Sequence, residues 1–222
     1  MNYFERYQAA NMPYGDNISD HIINASKRSA LRSFLSSPTL SNVQVNDGDF
    51  VKSLVSVYSG DFFDRTFLFE PESKHAKVGN YIKFKDYTYL TMKSNDNEIY
   101  PNLKGKLCNE DFKLPIGIVK RKVSTPRGGY TYVNEEETIN IPIVVDVKGY
   151  SVSDNAVLPL PVGRVNMYLG YSPKYMEHLS INYEFELFQN TYKITDIQTD
   201  NIINEVGYLA VSAQKVVDND AN

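Results

Sequence analysis

The chain of 222 residues has a formal net charge of −4, and 42% of its residues are hydrophobic and 23% charged. This composition is typical of a folded globular protein, and the length allows one large all-β domain or two small ones. The acidic balance argues against a dedicated nucleic-acid-binding domain, because such domains usually carry a strongly basic face. No stretch approaches the roughly 20 apolar residues that a transmembrane helix needs, so we expect no membrane partner.

The N-terminal part, residues 1–40, is predicted to form an arm and a helix. Between Asn17 and Leu35 the apolar residues recur mostly at spacings of three to five, which is typical of an amphipathic helix. Asp16 or Asn17 is the candidate cap, and Pro38 should end the helix because the residue before a proline avoids helical backbone angles. The segment ahead of the helix has no clear period and is interpreted as an arm that becomes ordered on a partner.

A first β module is predicted over residues 41–112. The sequence Asn46-Asp47-Gly48-Asp49 lies between two β runs and predicts a hairpin, in which Asp47-Gly48 supplies the positive φ that tight turns require. Farther along, the runs YIKF and YTYLTM flank Lys85-Asp86 and predict a second two-stranded unit.

A second β module, residues 113–217, repeats parts of the first at an offset of about 103 residues. Gln189-Asn190 separates two β runs there, and a Thr-Tyr pair opens the second run in both modules, as Thr88-Tyr89 and Thr191-Tyr192. An internal repeat and a chance alignment of two all-β stretches both explain this match.

The chain is therefore predicted to be mainly β with a short N-terminal helix and two small antiparallel β-barrel or sandwich-like modules. A polar tail, residues 218–222, is predicted to be disordered. The single cysteine, Cys108, cannot form an internal disulfide. This favours a protein made in a reducing cytosol.

A projecting hairpin is predicted near residues 116–133. If its first strand alternates, Lys120 and Lys122 share one face while Val119, Arg121 and Val123 share the other. The candidate contact residues are Lys120, Arg121, Lys122, Ser124, Thr125, Pro126, Arg127, Gly128 and Gly129.

Three interpretations of this hairpin remain open at the level of sequence. A basic projecting loop can reach DNA. Lysines on an exposed edge also prevent edge-to-edge pairing. The basic residues can equally contact the acidic run Glu135–Glu137 of a neighbouring subunit.

Patterns that carry chemistry are not found in the sequence. His21, His75 and His178 are dispersed and lack partners at metal-ligand spacing. No nucleophile elbow, phosphate-binding loop or dinucleotide fingerprint occurs. We therefore predict no enzyme, no cofactor and no metal site.

The layout of the chain resembles the neck proteins of tailed bacteriophages called head-closure, head-completion or stopper proteins. The resemblance is carried by the segments YFERYQAA, SKRSALRSFLSSPT, PESKHAKVGNYIKFKDYTYLTM and GKLCNEDFKL, followed by a second β module. It covers most of the chain in order, and its motifs contain no invariant chemistry. A tail-completion or adaptor role, as in neighbouring neck components, stays open beside the head-closure role.

The resemblance implies a structural virion protein that assembles in the host cytoplasm and resides in the head–tail neck. It implies a ring of subunits, commonly six, below the portal and adaptor proteins and above tail-completion or tail-terminator proteins. Packaged double-stranded DNA would pass through the channel without sequence-specific contacts. The tip Ser124–Gly129 is the candidate channel loop, and residues 94–102 are the second candidate.

Two other classes of function compete with this one. A β-rich carbohydrate or receptor-binding module of a phage tail or cell surface is the first alternative, although the absence of tryptophan weighs against a lectin-like site. A hydrolase with a carboxylate pair such as Asp61 and Asp64 is the second.

Overall fold

A computed structural model describes residues 3, 6–7, 12–15, 17–57, 63–95, 97–126, 128–146 and 163–216. The predicted tail, residues 218–222, and the candidate cap Asp16 lie outside them. The helices with assigned bounds are α1 (Ile18–Leu35) and α2 (Pro173–His178). The strands are β1 (Leu40–Val45), β2 (Phe50–Val57), β3 (Asp64–Leu68), β4 (Tyr81–Phe84), β5 (Tyr87–Ser94), β6 (Asn102–Leu107), β7 (Glu110–Ser124), β8 (Tyr130–Asp146), β9 (Arg164–Gly170), β10 (Glu184–Leu187), β11 (Asn190–Gln198), β12 (Ile202–Ile203) and β13 (Val206–Lys215).

The predicted fold class is confirmed, since the structure is mainly β and contains two β modules after helix α1. The chain divides into two compact units, residues 1–106 and 107–222. The bounds predicted from the sequence for the arm, the two modules and the tail stay predictions.

The first module is a closed barrel with the strand order β1-β2-β3-β6-β5-β4. Strand β4 closes the barrel by pairing with β1, where Val45 faces Ile82. Inside, the rings of Phe67 and Tyr89 meet edge to face at 5.5 Å, and both are almost completely buried. Gly105 fits beside them because a Cβ atom there would lie 3.0 Å from the Phe67 ring.

The β1–β2 hairpin forms at the predicted turn, but its positive φ angles lie one residue earlier than expected. Asn46 and Asp47 have φ values of 49° and 58°, and Gly48 is not among the residues with positive φ. The prediction that Asp47-Gly48 supplies the positive φ is confirmed for Asp47 and wrong for Gly48, whose place Asn46 takes. Asn and Asp tolerate the left-handed region better than most residues because their short polar side chains can bond to nearby backbone. Asn46 is also held by a residue distant in the chain, since its Nδ2 donates to Asn80 Oδ1 at 2.8 Å.

Helix α1 begins at the cap Asn17, whose Oδ1 accepts a hydrogen bond from the Asp20 N–H at 2.9 Å. Its buried residues are Ala30 and Phe34, whereas Ile18 and Ile22 are exposed. Some of the apolar residues that produce the helical spacing in the sequence are therefore exposed to solvent in the structure.

The second module is an open sheet with the strand order β10-β11-β13-β9-β8-β7, and β12 pairs with β13. This order matches the first module when each barrel strand is replaced by its counterpart in chain order, β12 being an addition. The hairpin registers also match, since Tyr81 faces Leu90 in β4–β5 and Glu184 faces Lys193 in β10–β11, an offset of about 103 residues. The structure therefore favours an internal repeat over chance alignment.

Backbone hydrogen bonds before these hairpins repeat in the same way. The N–H of Gly79 donates to the Thr91 carbonyl at 2.8 Å, and the N–H of Asn182 donates to the Ile194 carbonyl at 2.9 Å. Gly79 and Asn182 both have positive φ, at 85° and 71°. Two segments with little sequence in common thus adopt the same local geometry.

The modules differ at the seam that closes the first one. In the second module β7 and β10, which end the strand order, have no ladder pairing between them. Aromatic side chains meet there instead, with the Phe112 ring perpendicular to the Phe185 ring at 5.0 Å. Tyr192 extends this cluster at 6.2 Å from Phe185.

Replacement of the seam aromatic tests its contribution. Because Phe112 is 2% exposed, Phe112→Ala should lower the free energy of unfolding of the second module by about 3–5 kcal/mol. Denaturant unfolding followed by circular dichroism measures the change. The control Ile181→Ala removes a side chain that is 58% exposed in the same unit and should cost no more than about 0.5 kcal/mol. Equal effects of the two substitutions would contradict the stabilising role assigned to the Phe112–Phe185 contact.

Gly207 should tolerate no side chain. Its φ is +146°, and a Cβ atom there would lie 2.0 Å from the Asn201 carbonyl oxygen. We expect Gly207→Ala to destabilise the second module by more than about 2 kcal/mol through strain and backbone displacement. Gly117→Ala is the matched control, because nothing lies within 4 Å of its added Cβ atom, and thermal unfolding should show little loss or a small gain.

Candidate functional site

The longest described strand pair extends beyond the core of the second module. Strands β7 and β8 have 15 and 17 residues, far more than the usual five to six. Their bases carry buried side chains, whereas all residues of Gly117–Ser124 and Tyr130–Thr138 are exposed. We call these two segments the distal ribbon. At about 3.3 Å per residue, it projects roughly 25 Å.

The distal ribbon and its tip contain most of the predicted hairpin of residues 116–133, and the tip is a tight turn. The N–H of Thr125 donates to the Gly129 carbonyl at 2.7 Å, and the N–H of Gly128 donates to the Thr125 carbonyl at 3.0 Å. Gly128 has a φ of +82°, which glycine adopts without strain. Pro126 and Gly129 are exposed, and Arg127 lies outside the described residues.

Strand pairing distributes the predicted contact residues over both faces of the ribbon. Lys122 lies opposite Tyr132, and Arg121 lies opposite Val133. Directly opposed residues share a face and successive residues alternate. One face therefore carries Ile118, Lys120, Lys122, Ser124, Tyr130, Tyr132, Asn134 and Glu136. The other carries Val119, Arg121, Val123, Thr131, Val133, Glu135 and Glu137.

The charged groups of the ribbon make weak contacts within it. Lys122 Nζ lies 4.0 Å from the centroid of the Tyr130 ring, and Arg121 Nη1 lies 3.3 Å from Glu135 Oε2. All four side chains are exposed. Exposed contacts of this kind contribute about 1 kcal/mol or less, so they leave the charges available to a partner.

Exposed apolar side chains are the functional feature that sequence reasoning missed. Ile118 is 70% exposed, Tyr130 68% and Tyr132 67%. Val119, Val123 and Val133 are also exposed. The alternation of residues in the sequence shows which side chains share a face of the ribbon. It does not show that both faces are exposed to solvent. The signal that could have indicated it is the length of the two strands, which exceeds what one module can cover.

The second candidate loop, residues 94–102, is held against its own module. Asn97 Oδ1 accepts hydrogen bonds from the N–H groups of Ile99 and Tyr100 at 2.9 and 3.0 Å. Glu98 Oε2 lies 3.3 Å from Nζ of Lys27 in helix α1. These bonds shape the described residues of the loop and join Glu98 to helix α1 of the same unit.

Sites for metal chemistry are not formed by the residues that the structure describes. No group of three or more His, Cys, Asp or Glu side chains there is placed to hold a metal ion. Asp61, one member of the carboxylate pair considered above, lies outside those residues.

A cavity of about 140 Å³ lies between helix α1 and the barrel. Its lining is mainly apolar and includes Phe34, Leu54 and Phe69. Among the described helices, none has the length and apolar character to cross a bilayer.

Tyr183 lies beside the seam aromatics, with its ring 6.4 Å from Phe112 and 6.4 Å from Phe185. Burial raises the pKa of Tyr183 above its ordinary value of 10.0, and the negative charge of Glu136 raises it further. The negative charge of Glu136 in the ribbon therefore acts on Tyr183 at the seam.

Comparison with protein families gives a match for this chain. The model of a family described as the YomX C-terminal domain matches residues 88–214, more than half of the chain. The matched range begins in β5 and ends in β13, so it includes the whole of the distal ribbon. Searches of curated proteins and of solved structures gave no match.

Tyr183 provides a test of the seam by pH. Because its folded-state pKa is raised, the stability it contributes is fully present below pH 10 and is lost as the pH rises above its unfolded value. Tyr183→Phe keeps the ring and removes the ionising group, so the loss of stability above pH 10 should be less steep than in the unaltered chain. Denaturant unfolding between pH 9 and about 11.5 measures it. An unchanged slope in this variant would contradict the assignment, and the exposed Tyr132→Phe is the control.

Proposed function

The chain belongs to the family of the YomX C-terminal domain, a phage-derived domain, and from this premise we propose that it is a structural protein of the head-to-tail connector. In this proposal it forms a ring, commonly of six subunits, that closes the DNA-filled head and docks the tail. Portal or adaptor proteins lie above it and tail-completion or tail-terminator proteins below. It assembles in the host cytoplasm and remains in the neck of the virion.

The distal ribbon is the observation that carries this proposal. A two-stranded hairpin with both faces in water is marginally stable at best, yet this one projects roughly 25 Å and exposes three side chains by 67% or more. Such a segment gains most of its stability when another surface covers it. Neighbouring subunits in a particle would supply such a surface.

The charges of the ribbon fit a channel or subunit contact better than a tight DNA site. Lys120, Arg121 and Lys122 are exposed, and the acidic run Glu135–Glu137 lies on the paired strand. Each phosphate that a protein neutralises adds affinity. A passage for DNA should keep such contacts few, so a ribbon of mixed charge suits non-specific contact with packaged DNA. The tip Ser124–Gly129 and the three basic residues are our candidates for the channel or inter-subunit loop.

A carbohydrate or receptor-binding module of a phage tail or cell surface is the alternative. The exposed rings of Tyr130 and Tyr132 favour it, because aromatic faces stack on sugars and they lie on one face of the ribbon. Loss of glycan binding in Tyr130→Ala/Tyr132→Ala, with normal particle assembly, would support this alternative over the connector.

Electron microscopy of particles assembled without this protein tests the proposal. We expect heads that have lost their DNA beside complete free tails. Normal, DNA-filled, tailed particles would contradict the connector role.

A shortened ribbon tests the part assigned to the hairpin. Deletion of Lys120–Val123 together with Thr131–Asn134 removes facing residues only and keeps the tip and the alternation of faces. Particles supplied with this variant should resemble particles that lack the protein. Circular dichroism of the purified variant should show an intact fold, and normal particles would mean that the ribbon does not carry the function.

A further inference from the structure

The distal ribbon presents two backbone edges. Strand β7 ends the strand order of the second sheet, and β8 pairs with β9 only through Val144–Asp146. Within the described residues, the outer edge of each ribbon strand therefore has no ladder partner. Unpaired N–H and C=O groups along a strand edge are a template for another strand.

The two edges carry opposite charge. Gly117–Ser124 on β7 contains Lys120, Arg121 and Lys122 and no acidic residue. Tyr130–Thr138 on β8 contains Glu135, Glu136 and Glu137 and no basic residue. An edge of one charge repels a like edge and attracts the other kind, which is how charged edge residues select a partner.

We propose that the β7 edge of one ribbon pairs with the β8 edge of the ribbon on a second copy of this chain. The inference rests on the proposed ring and specifies its subunit contact. When neighbouring ribbons point the same way, β7 of one copy runs antiparallel to β8 of the next. The contact uses different surfaces on the two copies, so it is heterologous and repeats from subunit to subunit until the ring closes.

A stagger of about two residues relative to the pairing within one ribbon brings the opposite charges together. Lys120 then lies opposite Glu136 of the next copy, and Arg121 lies opposite Glu135 of the next copy. A stagger by an even number keeps each side chain on its own face, and closed sheets require a stagger between successive strands. The valines join the contact too, because Val123 comes opposite Val133 of the next copy.

DNA as the occupant explains less of the surface. It accounts for the basic residues on β7, but Glu135–Glu137 would repel phosphate, and the free backbone edges would stay unpaired. A second copy accounts for the basic run, the acidic run and both edges with one contact.

Charge reversal on single edges gives the first half of the test. Lys120→Glu/Arg121→Glu/Lys122→Glu makes both edges acidic, and Glu135→Lys/Glu136→Lys/Glu137→Lys makes both basic. Sedimentation velocity at low ionic strength, where screening is weak, should show each variant associating at least tenfold more weakly than the unaltered chain. The control Lys52→Glu/Lys74→Glu/Lys85→Glu matches the first variant in its change of net charge, places that change at exposed sites of the first unit, and should associate normally.

Restoration of complementarity gives the second half. The chain with all six reversals has its edge charges exchanged and should associate like the unaltered chain. An equimolar mixture of the all-acidic and all-basic variants should associate as well, with the two kinds alternating, which native mass spectrometry detects. Circular dichroism and thermal unfolding of each variant confirm that the modules are folded.

The outcomes that overturn the inference are distinct. Single-edge variants that associate like the unaltered chain, or a mixture that stays monomeric, would overturn it. Weaker binding of double-stranded DNA by the all-acidic variant with unchanged association would make the β7 edge a DNA contact instead. Failure of the connector role is a separate result, since it is read from particles that lack the protein altogether.

Discussion

Backbone hydrogen bonding at sheet edges is the constraint on which the rest of this protein depends. In the first module β1 pairs with β4, so the sheet returns on itself and every strand has two neighbours. In the second module the same strand order stops one ladder short, and β7 and β10 remain as ends. A sheet with ends must cover, charge or pair them. One of these end strands, β7, is also a strand of the projecting β7–β8 pair.

Aromatic side chains pack between β7 and β10, the two end strands of the second module, where the ladder hydrogen bonds are missing. The edge-to-face contact of Phe112 with Phe185 joins the two end strands through side chains rather than through backbone bonds. Contacts of this geometry contribute about 0.5–1.5 kcal/mol beyond the burial of apolar area. They hold the base of the sheet together and leave the strands free to extend. The same order of six strands thus forms a closed barrel in the first module and an open sheet in the second.

The mixed charge of the ribbon bears on which edges can pair with it. Lysine on an exposed edge is a common protection against unwanted pairing, and the sequence alone allows that interpretation. With the glutamates on the opposite strand, the same residues block pairing of like edges and permit pairing of unlike ones. Membership of a phage-derived family and the exposed valines and tyrosines agree with the proposal that other subunits cover the ribbon.

The sequence by itself determined the fold class, helix α1 and the hairpins, because these follow from local periods and turn residues. The hairpin at Lys85-Asp86 and its counterpart at Gln189-Asn190 are examples. Their match left an internal repeat and chance alignment both open, and the strand order and registers of the structure favour the repeat. Other features are decided by contacts between residues far apart in the chain. Local preference predicted a positive φ at Gly48, but Asn46 has it instead. The hydrogen bond from Asn46 to the distant Asn80 is a contact that local preference does not contain. Whether β4 reaches β1, or Phe112 meets Phe185, depends on how a whole sheet curls, and only the tertiary structure decides it. The exposure of both ribbon faces is of the same kind, since alternation assigns side chains to faces but the rest of the fold determines what covers them.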